Sequence, residues 1–368
     1  MIPVPKHIEQ LKPYVAGKTI EEVVAQYNPP RISKLASNEN RLGCSQKAID
    51  AAQQAVSTIM NYPDPACTLL RQKIAEKTGI PAERILPGSG SEGVMQLIIK
   101  TYFEPHEHAL TASATFIGFL VLINSRGVGL RQLPLTSDYR FDTEALADAI
   151  TADTRMVYIA NPNNPTGTYI TKTEFETFMA RVPEHVMVIM DEAYHEFAAG
   201  LDDYPDAASY GYDNVISLRT FSKAYGLAGY RIGYCVAHPD IIKTLMKVKL
   251  PFEPSLPAQY AAMGALDDDD FLHRTQEMVA AARNRLYRFL TEKEMQFVPS
   301  ASNSVMMVFD TEAQAVFFTE EMLKKGVILR RLPGFGLANC VRVTVGIDTE
   351  MEHFEQAFEA IYENLNPA

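Results

Sequence analysis

The sequence predicts an α/β protein in which a large domain, built on a mostly parallel sheet covered on both faces, is followed by a smaller α+β domain. Three observations predict it. Short apolar segments recur with helical stretches between them. The 368 residues exceed what one small core needs and fall short of what many domains need. Three prolines in PFEPSLP, Pro251–Pro257, interrupt an apolar stretch and mark a change of composition.

In chain order, Ala51–Ile59 and Leu69–Thr78 carry helical periodicity, and Glu92–Phe103 does so directly after the glycine turn Gly88–Gly90. Met156–Ala160, Val186–Met190, Val215–Leu218 and Ile232–Ala237 have the length of buried strands, with helical Thr173–Ala180 between the first two. Beyond the prolines come a helical pattern containing Thr275–Leu290, strand-like Ser304–Phe309, a helix near Ala315–Lys325 and strand-like Cys340–Val345. The expected divisions are an N-terminal arm at 1–34 packing with the small domain or a partner subunit, a large domain at 35–260 and a small domain at 261–368.

A formal net charge of -11, with no long basic stripe, argues against nucleic acid as a partner. Small anions remain suitable, because they respond to local arginines and helix termini. The four cysteines are widely spaced and none forms CxxC, so a reducing compartment is expected. No apolar run approaches the roughly 18 residues of a membrane span, and MIPVPKHIEQLKPY has no hydrophobic signal core, so the expected location is the cytoplasm without membrane attachment. His106 and His108 lack the further ligands that a metal site requires, and no metal is expected.

The chemistry concentrates in SLRTFSKAYGLAGYRIG, Ser217–Gly233. An amine in a small-residue turn among hydroxyls and a guanidinium suits covalent attachment to a carbonyl cofactor. Lys223 is that amine, with Thr220, Ser222 and Arg231 placed to hold a phosphate. The combination points to pyridoxal 5'-phosphate, although the segment alone also suits a surface lysine beside a helix cap. The turn Gly88-Ser89-Gly90-Ser91-Glu92-Gly93 opens a helix whose N–H groups can receive phosphate, and it is neither a dinucleotide fingerprint nor a Walker loop. Asn161–Gly167, NPNNPTG, and Asp191–Phe197, DEAYHEF, each follow an expected strand. There Asp191 can pair with a protonated ring nitrogen, and Tyr194 and Asn164 can hydrogen-bond a ring oxygen. His195 is expected to serve packing.

These motifs, with LKPYVAGKTIEEV at Leu11–Val23, LASNENRLG at Leu35–Gly43, NYPD at Asn61–Asp64, GVILR at Gly326–Arg330 and CVRVTVG at Cys340–Gly346, resemble the fold-type I, class I/II aminotransferases over nearly the whole chain. Among these the histidinol-phosphate aminotransferases are the most similar. The resemblance implies a seven-stranded central sheet, pyridoxal 5'-phosphate as cofactor, and a homodimer with shared active sites. It makes Lys223 the residue that carries the cofactor and moves the substrate proton. Asp191 would face the ring nitrogen; Asn164 and Tyr194 would face the phenolic oxygen. Gly90, Ser91 and Glu92 would meet the phosphate with Thr220, Ser222 and Arg231, Phe116 would stack on the ring, and Tyr62 would reach the phosphate of the neighbouring subunit. Arg342 would clamp a carboxylate near Asn40 and Asn164, Arg330 would bind a distal phosphate, and Tyr14 would line the side-chain pocket.

The implied reaction is amino transfer between L-histidinol phosphate and 2-oxoglutarate. An aromatic amino-acid aminotransferase and an amino-acid-phosphate decarboxylase are the alternatives on the same framework. Two departures from the family pattern bear on the substrate. Arg41 stands where proline usually follows NEN, and Ala112–Phe116, ASATF, lacks two usual prolines. Arg41 either recruits an anionic substrate at the entrance or faces solvent.

Overall fold

The structure is a computed structural model that describes residues 2–11, 13 and 17–365, so Tyr14 lies outside the described residues. Strand β1 (Ser33–Lys34) is short. The main sheet follows, with β2 (Ile85–Gly88), β3 (His108–Ala112), β4 (Gly129–Leu133), β5 (Thr154–Ala160), β6 (Met187–Asp191), β7 (Val215–Thr220) and β8 (Gly233–Val236). The remaining strands are β9 (Gln296–Val298), β10 (Ser304–Val308), β11 (Val327–Ile328), β12 (Arg330–Leu332) and β13 (Leu337–Thr344).

Seven strands form the main sheet in the order β2-β8-β7-β6-β5-β3-β4, and only β8 runs antiparallel to its neighbours. β6 and β7 are buried along their whole length, as strands covered on both faces must be. Helices Gly90–Tyr102 and Ile117–Arg126 pack on the sheet, and Phe119 stacks on Tyr158 of β5 with centroids 4.1 Å apart. Helix Lys172–Met179 starts at a capping box made by Thr171 and Glu174.

Three strands of this sheet carry weak sequence signals. β4 is an edge strand, largely exposed and containing Arg131 and Gln132. β2 contains Pro87 and Gly88, and β3 begins with a histidine whose Nε2 pairs with Thr154 Oγ1 at 2.9 Å.

The antiparallel sheet β12-β13-β10-β9 is covered by helices Asp269–Glu292, Glu312–Lys324 and Asp348–Leu365, with Phe289, Phe318, Phe354 and Phe358 in its core. The segment around Val23–Ala36 joins this unit, since β1 pairs in parallel with β11 and Val23 packs with Ala36 and Ile328, whereas helix Lys6–Glu9 packs against helix Ile117–Arg126 on the main sheet. Helix Leu256–Leu266 packs against helix Gln46–Val56, and a Cβ on Gly264 would lie 2.4 Å from the carbonyl oxygen of Lys47. The expected division after residue 260 falls inside this helix, whose Ala258, Ala261, Ala262 and Ala265 share a core with Ala48, Leu70 and Ile74. No helix among the described residues is long and apolar enough to cross a membrane.

Candidate active site

The C-terminal ends of β5, β6 and β7 bring Ala160, Asp191 and Thr220 to one edge of the sheet, the place where open α/β sheets receive ligands. A cavity of about 180 Å³ lies there. It adjoins a larger one of about 860 Å³, with Glu92, Phe116, Asn164, Tyr194 and Lys223 lining both.

One end of the smaller cavity is built for an anion. Helix Gly90–Tyr102 starts after Ser89, whose side chain makes no capping hydrogen bond, so the first-turn N–H groups are left to an outside acceptor. Gly90 has φ +80°, and a Cβ there would lie 3.0 Å from Arg231 Nη2. Gly233 lets β8 pass below the same turn, since its Cβ would lie 2.6 Å from the Ser91 nitrogen. Ser91, Thr220, Ser222 and Arg231 complete the lining, with Thr220 Oγ1 donating to Ser222 Oγ at 3.0 Å.

The other end suits a protonated aromatic nitrogen. Asp191, 5% exposed, accepts a hydrogen bond from Tyr158 Oη at 2.6 Å and one from the Ala193 N–H at 3.2 Å. Burial nevertheless pushes its carboxyl up to about 6. A cationic ring N–H in the cavity would offset that desolvation. Sequence alone does not single out Tyr158, which reads as one more apolar position of β5 with its hydroxyl the one sign of a polar partner.

Tyr194 is buried, and its hydroxyl receives a hydrogen bond from Asn38 Nδ2 at 2.8 Å. Lys223 Nζ lies 3.5 Å from the Ser37 carbonyl oxygen and 5.8 Å from the Tyr194 ring centroid. Asn164 Oδ1 accepts from Arg342 Nη1, while Arg342 Nη2 donates to the Ala36 carbonyl at 2.8 Å. Phe116 and Ala193 supply apolar walls. A Cβ on Gly118 would lie 2.4 Å from Phe116 Cε1, so the start of helix Ile117–Arg126 can rest against the ring. Anion cup, carboxylate, hydroxyl, amine and aromatic wall together fit a phosphorylated pyridine.

The larger cavity contains Arg330, Arg342, Lys18 and Lys34. Arg330 on β12 and Arg342 on β13 are directly paired across the strands. Arg331 points elsewhere and pairs with Glu312 at 2.8 Å.

Two expectations change. Asn40 lines neither cavity, because its Nδ2 is engaged by the Ala224 carbonyl at 2.9 Å and Thr275 Oγ1 at 3.0 Å. Arg41 neither awaits an anionic substrate nor faces open solvent; its Nε donates to Glu350 Oε1 at 2.9 Å, tying the loop to the start of helix Asp348–Leu365. Tyr62 lies outside both cavities of its own chain, 79% exposed and stacked on Phe252.

Behind Asp191, the buried Glu192 accepts from Ser217 Oγ, from Arg219 Nε at 3.0 Å and from the Ala207 N–H at 3.0 Å. Arg219 also meets Asp206 at 2.7 Å. His195 sits against this network, and burial drives its ring down to about 2, with the Arg219 charge adding to the effect. Glu192, His195 and Asp206 approach within 4.8 Å of one another, and Arg219 supplies the positive charge between the two carboxylates.

A chain with this sheet order and this donor set is a pyridoxal-phosphate enzyme of fold type I. The aminotransferase class I and II family matches residues 30–361, and the protein belongs to that family, with pyridoxal 5'-phosphate as its cofactor. Within it the chain is homologous to histidinol-phosphate aminotransferases. It is 38% identical over 362 residues to histidinol-phosphate aminotransferase 2 of Carboxydothermus hydrogenoformans, covering 98% of this chain and 99% of the relative. It is 39% identical over 349 residues to the histidinol-phosphate aminotransferase of a Geobacillus species, covering 94% of each. The crystal structure of histidinol-phosphate aminotransferase from Sinorhizobium meliloti in complex with pyridoxal-5'-phosphate superposes with a TM-score of 0.91 at 29% identity, covering 99% of this chain and 98% of that one.

Proposed function

We propose that the protein transfers an amino group between L-histidinol phosphate and 2-oxoglutarate, giving imidazole acetol phosphate and L-glutamate, as a cytoplasmic homodimer. One observation carries the substrate reading: Arg330 and Arg342 are cross-strand neighbours that line the same cavity as Lys223. Two guanidinium groups side by side suit a substrate pair that presents a phosphate in one half-reaction and carboxylates in the other. The relatives named above support the same reading.

When bound, the cofactor supplies an electron sink for the substrate's α-carbon. In this reading the chain's residues do the rest. Lys223 Nζ would take the proton from the substrate's α-carbon and deliver it to the cofactor carbon that had carried the aldehyde. Asp191 holds positive charge at the ring nitrogen, and Tyr194 and Asn164 orient the phenolic oxygen. Gly90, Ser91, Glu92, Thr220, Ser222 and Arg231 fix the phosphate end, while Phe116 excludes water from one ring face.

Arg330→Ala is expected to weaken histidinol phosphate about ten- to a hundredfold, the loss of one charge-assisted contact, and glutamate much less. Arg342→Ala is expected to impair glutamate at least as strongly as histidinol phosphate, which has an alcohol in place of the α-carboxylate. Half-reaction kinetics with each donor read both effects. Equal small losses for the two donors in the Arg330 variant would remove the phosphate-reading role. Use of phenylalanine or tyrosine without histidinol phosphate would replace the substrate, and carbon dioxide release without keto-acid formation would mark a decarboxylase.

The dimer reading rests on exposed apolar side chains: Ile59 at 59%, Met60 at 80% and Leu250 at 61% exposure, together with the stacked Tyr62 and Phe252. In a dimer, Tyr62 would reach the phosphate end of the second copy's site. Met60→Asp is expected to shift the protein to monomer in light scattering and to lower activity with it. A monomeric wild type at micromolar concentration would refute the reading.

A further inference from the structure

Asn38 stands on the NEN loop with φ +55°, a left-handed conformation that costs an ordinary residue energy, and it is 1% exposed. Every polar group it has is engaged. Its backbone N–H donates to Thr344 Oγ1 at 2.9 Å, and Thr344 Oγ1 donates to Asn38 Oδ1 at 3.0 Å. Its carbonyl accepts from Asn303 Nδ2 at 3.0 Å. Its Nδ2 then has two acceptors, Tyr194 Oη at 2.8 Å and Ser304 Oγ at 3.2 Å. Thr344 and Ser304 face each other across β13 and β10, so the carboxamide is held by a registered pair of strands.

The consequence concerns the direction of one proton. A tyrosine hydroxyl has one donor and two acceptor sites, and an amide nitrogen can only donate. With Asn38 Nδ2 aimed at Tyr194 Oη, the oxygen accepts there and its proton points elsewhere. Tyr194 lines both cavities, so the direction left to that proton is the ligand. We propose that Asn38 is a positioning residue that fixes the Tyr194 hydroxyl as a hydrogen-bond donor toward the cofactor's phenolic oxygen. The inference rests on the reading that Tyr194 meets that oxygen. It also makes the small antiparallel sheet, through Thr344 and Ser304, a determinant of how the cofactor titrates.

The test follows the visible absorbance of the cofactor-loaded protein against pH. A donor beside the phenolic oxygen disfavours an added proton on the bound cofactor, so losing the donor raises the midpoint. Asn38→Gly keeps the left-handed backbone at little strain, removes the amide and is expected to raise the midpoint by about half a pH unit, a threefold change in proton affinity. Asn38→Asp keeps the shape but presents an acceptor that draws the Tyr194 proton away, so its shift should be larger. In a Tyr194→Phe background, which raises the midpoint by itself, Asn38→Gly should add nothing. Equal shifts from Asn38→Gly with and without the tyrosine would overturn the proposal, as would no shift from either Asn38 variant when Tyr194→Phe alone gives one. No shift from Tyr194→Phe would instead overturn the underlying reading of Tyr194.

Discussion

Replacing Lys223 with alanine is expected to abolish multiple turnover, with a loss on the order of 10⁴-fold or more, because the variant lacks both the attachment amine and the proton carrier. The geometry separates that loss from one of cofactor binding. Lys223 Nζ lies 3.5 Å from the Ser37 carbonyl oxygen and 5.8 Å from the Tyr194 ring centroid, whereas the anion cup is built from other side chains, Ser91, Thr220, Ser222 and Arg231. Equilibrium dialysis should therefore find the cofactor still retained by Lys223→Ala, bound noncovalently and released by denaturation without chemical cleavage. Undiminished steady-state turnover in a variant verified by mass would remove Lys223 from the chemistry.

For Asp191→Asn the expected loss in proton-transfer rate is about 10²–10³-fold, the scale of removing one preorganised charge from a water-poor site. Stability of the unloaded protein should move the other way. The Asp191 carboxyl is raised from 3.8 to about 6, so its protonated form is the one the fold prefers. The stabilisation present below pH 3.8 is therefore lost as pH rises through about 6, amounting to roughly 2–3 kcal/mol by pH 7. Asparagine does not titrate and can still take part in bonds with Tyr158 and Ala193. The unloaded variant should thus melt higher than unloaded wild type at pH 7, with the gap closing toward pH 4. The buried carboxylate destabilises the empty fold and becomes favourable when a cationic ring nitrogen faces it. A variant that is slower and also less stable at pH 7 would mean that Asp191 serves packing, and an unchanged proton-transfer rate would remove its electronic role.

The anion cup was legible because each of its two parts is a local motif: a glycine turn that opens a helix, and two hydroxyls and an arginine within nine residues of Lys223. Strand periodicity likewise placed Asp191 just after one strand and Lys223 beyond the next, since an apolar run followed by a polar residue marks where a buried strand leaves the core. It stopped the second strand at Leu218, whereas β7 continues through the buried Arg219 to Thr220. The same rule missed β4, whose exposed edge carries no apolar run.

The sequence by itself determined the cofactor class, the lysine and its phosphate cup, and the alternation of strand and helix that sets them at one edge of a sheet. Only the tertiary structure decided the partners that lie far along the chain. It brings Asn38 to Tyr194 across 156 positions and Tyr158 to Asp191 across 33, turns Asn40 toward Thr275 across 235, and sends Arg41 to Glu350 across 309. Local patterns report backbone conformation and burial, which depend on neighbouring residues. Which of two asparagines on one loop faces the site depends on strand register and on how two sheets meet, and no short stretch of sequence encodes that.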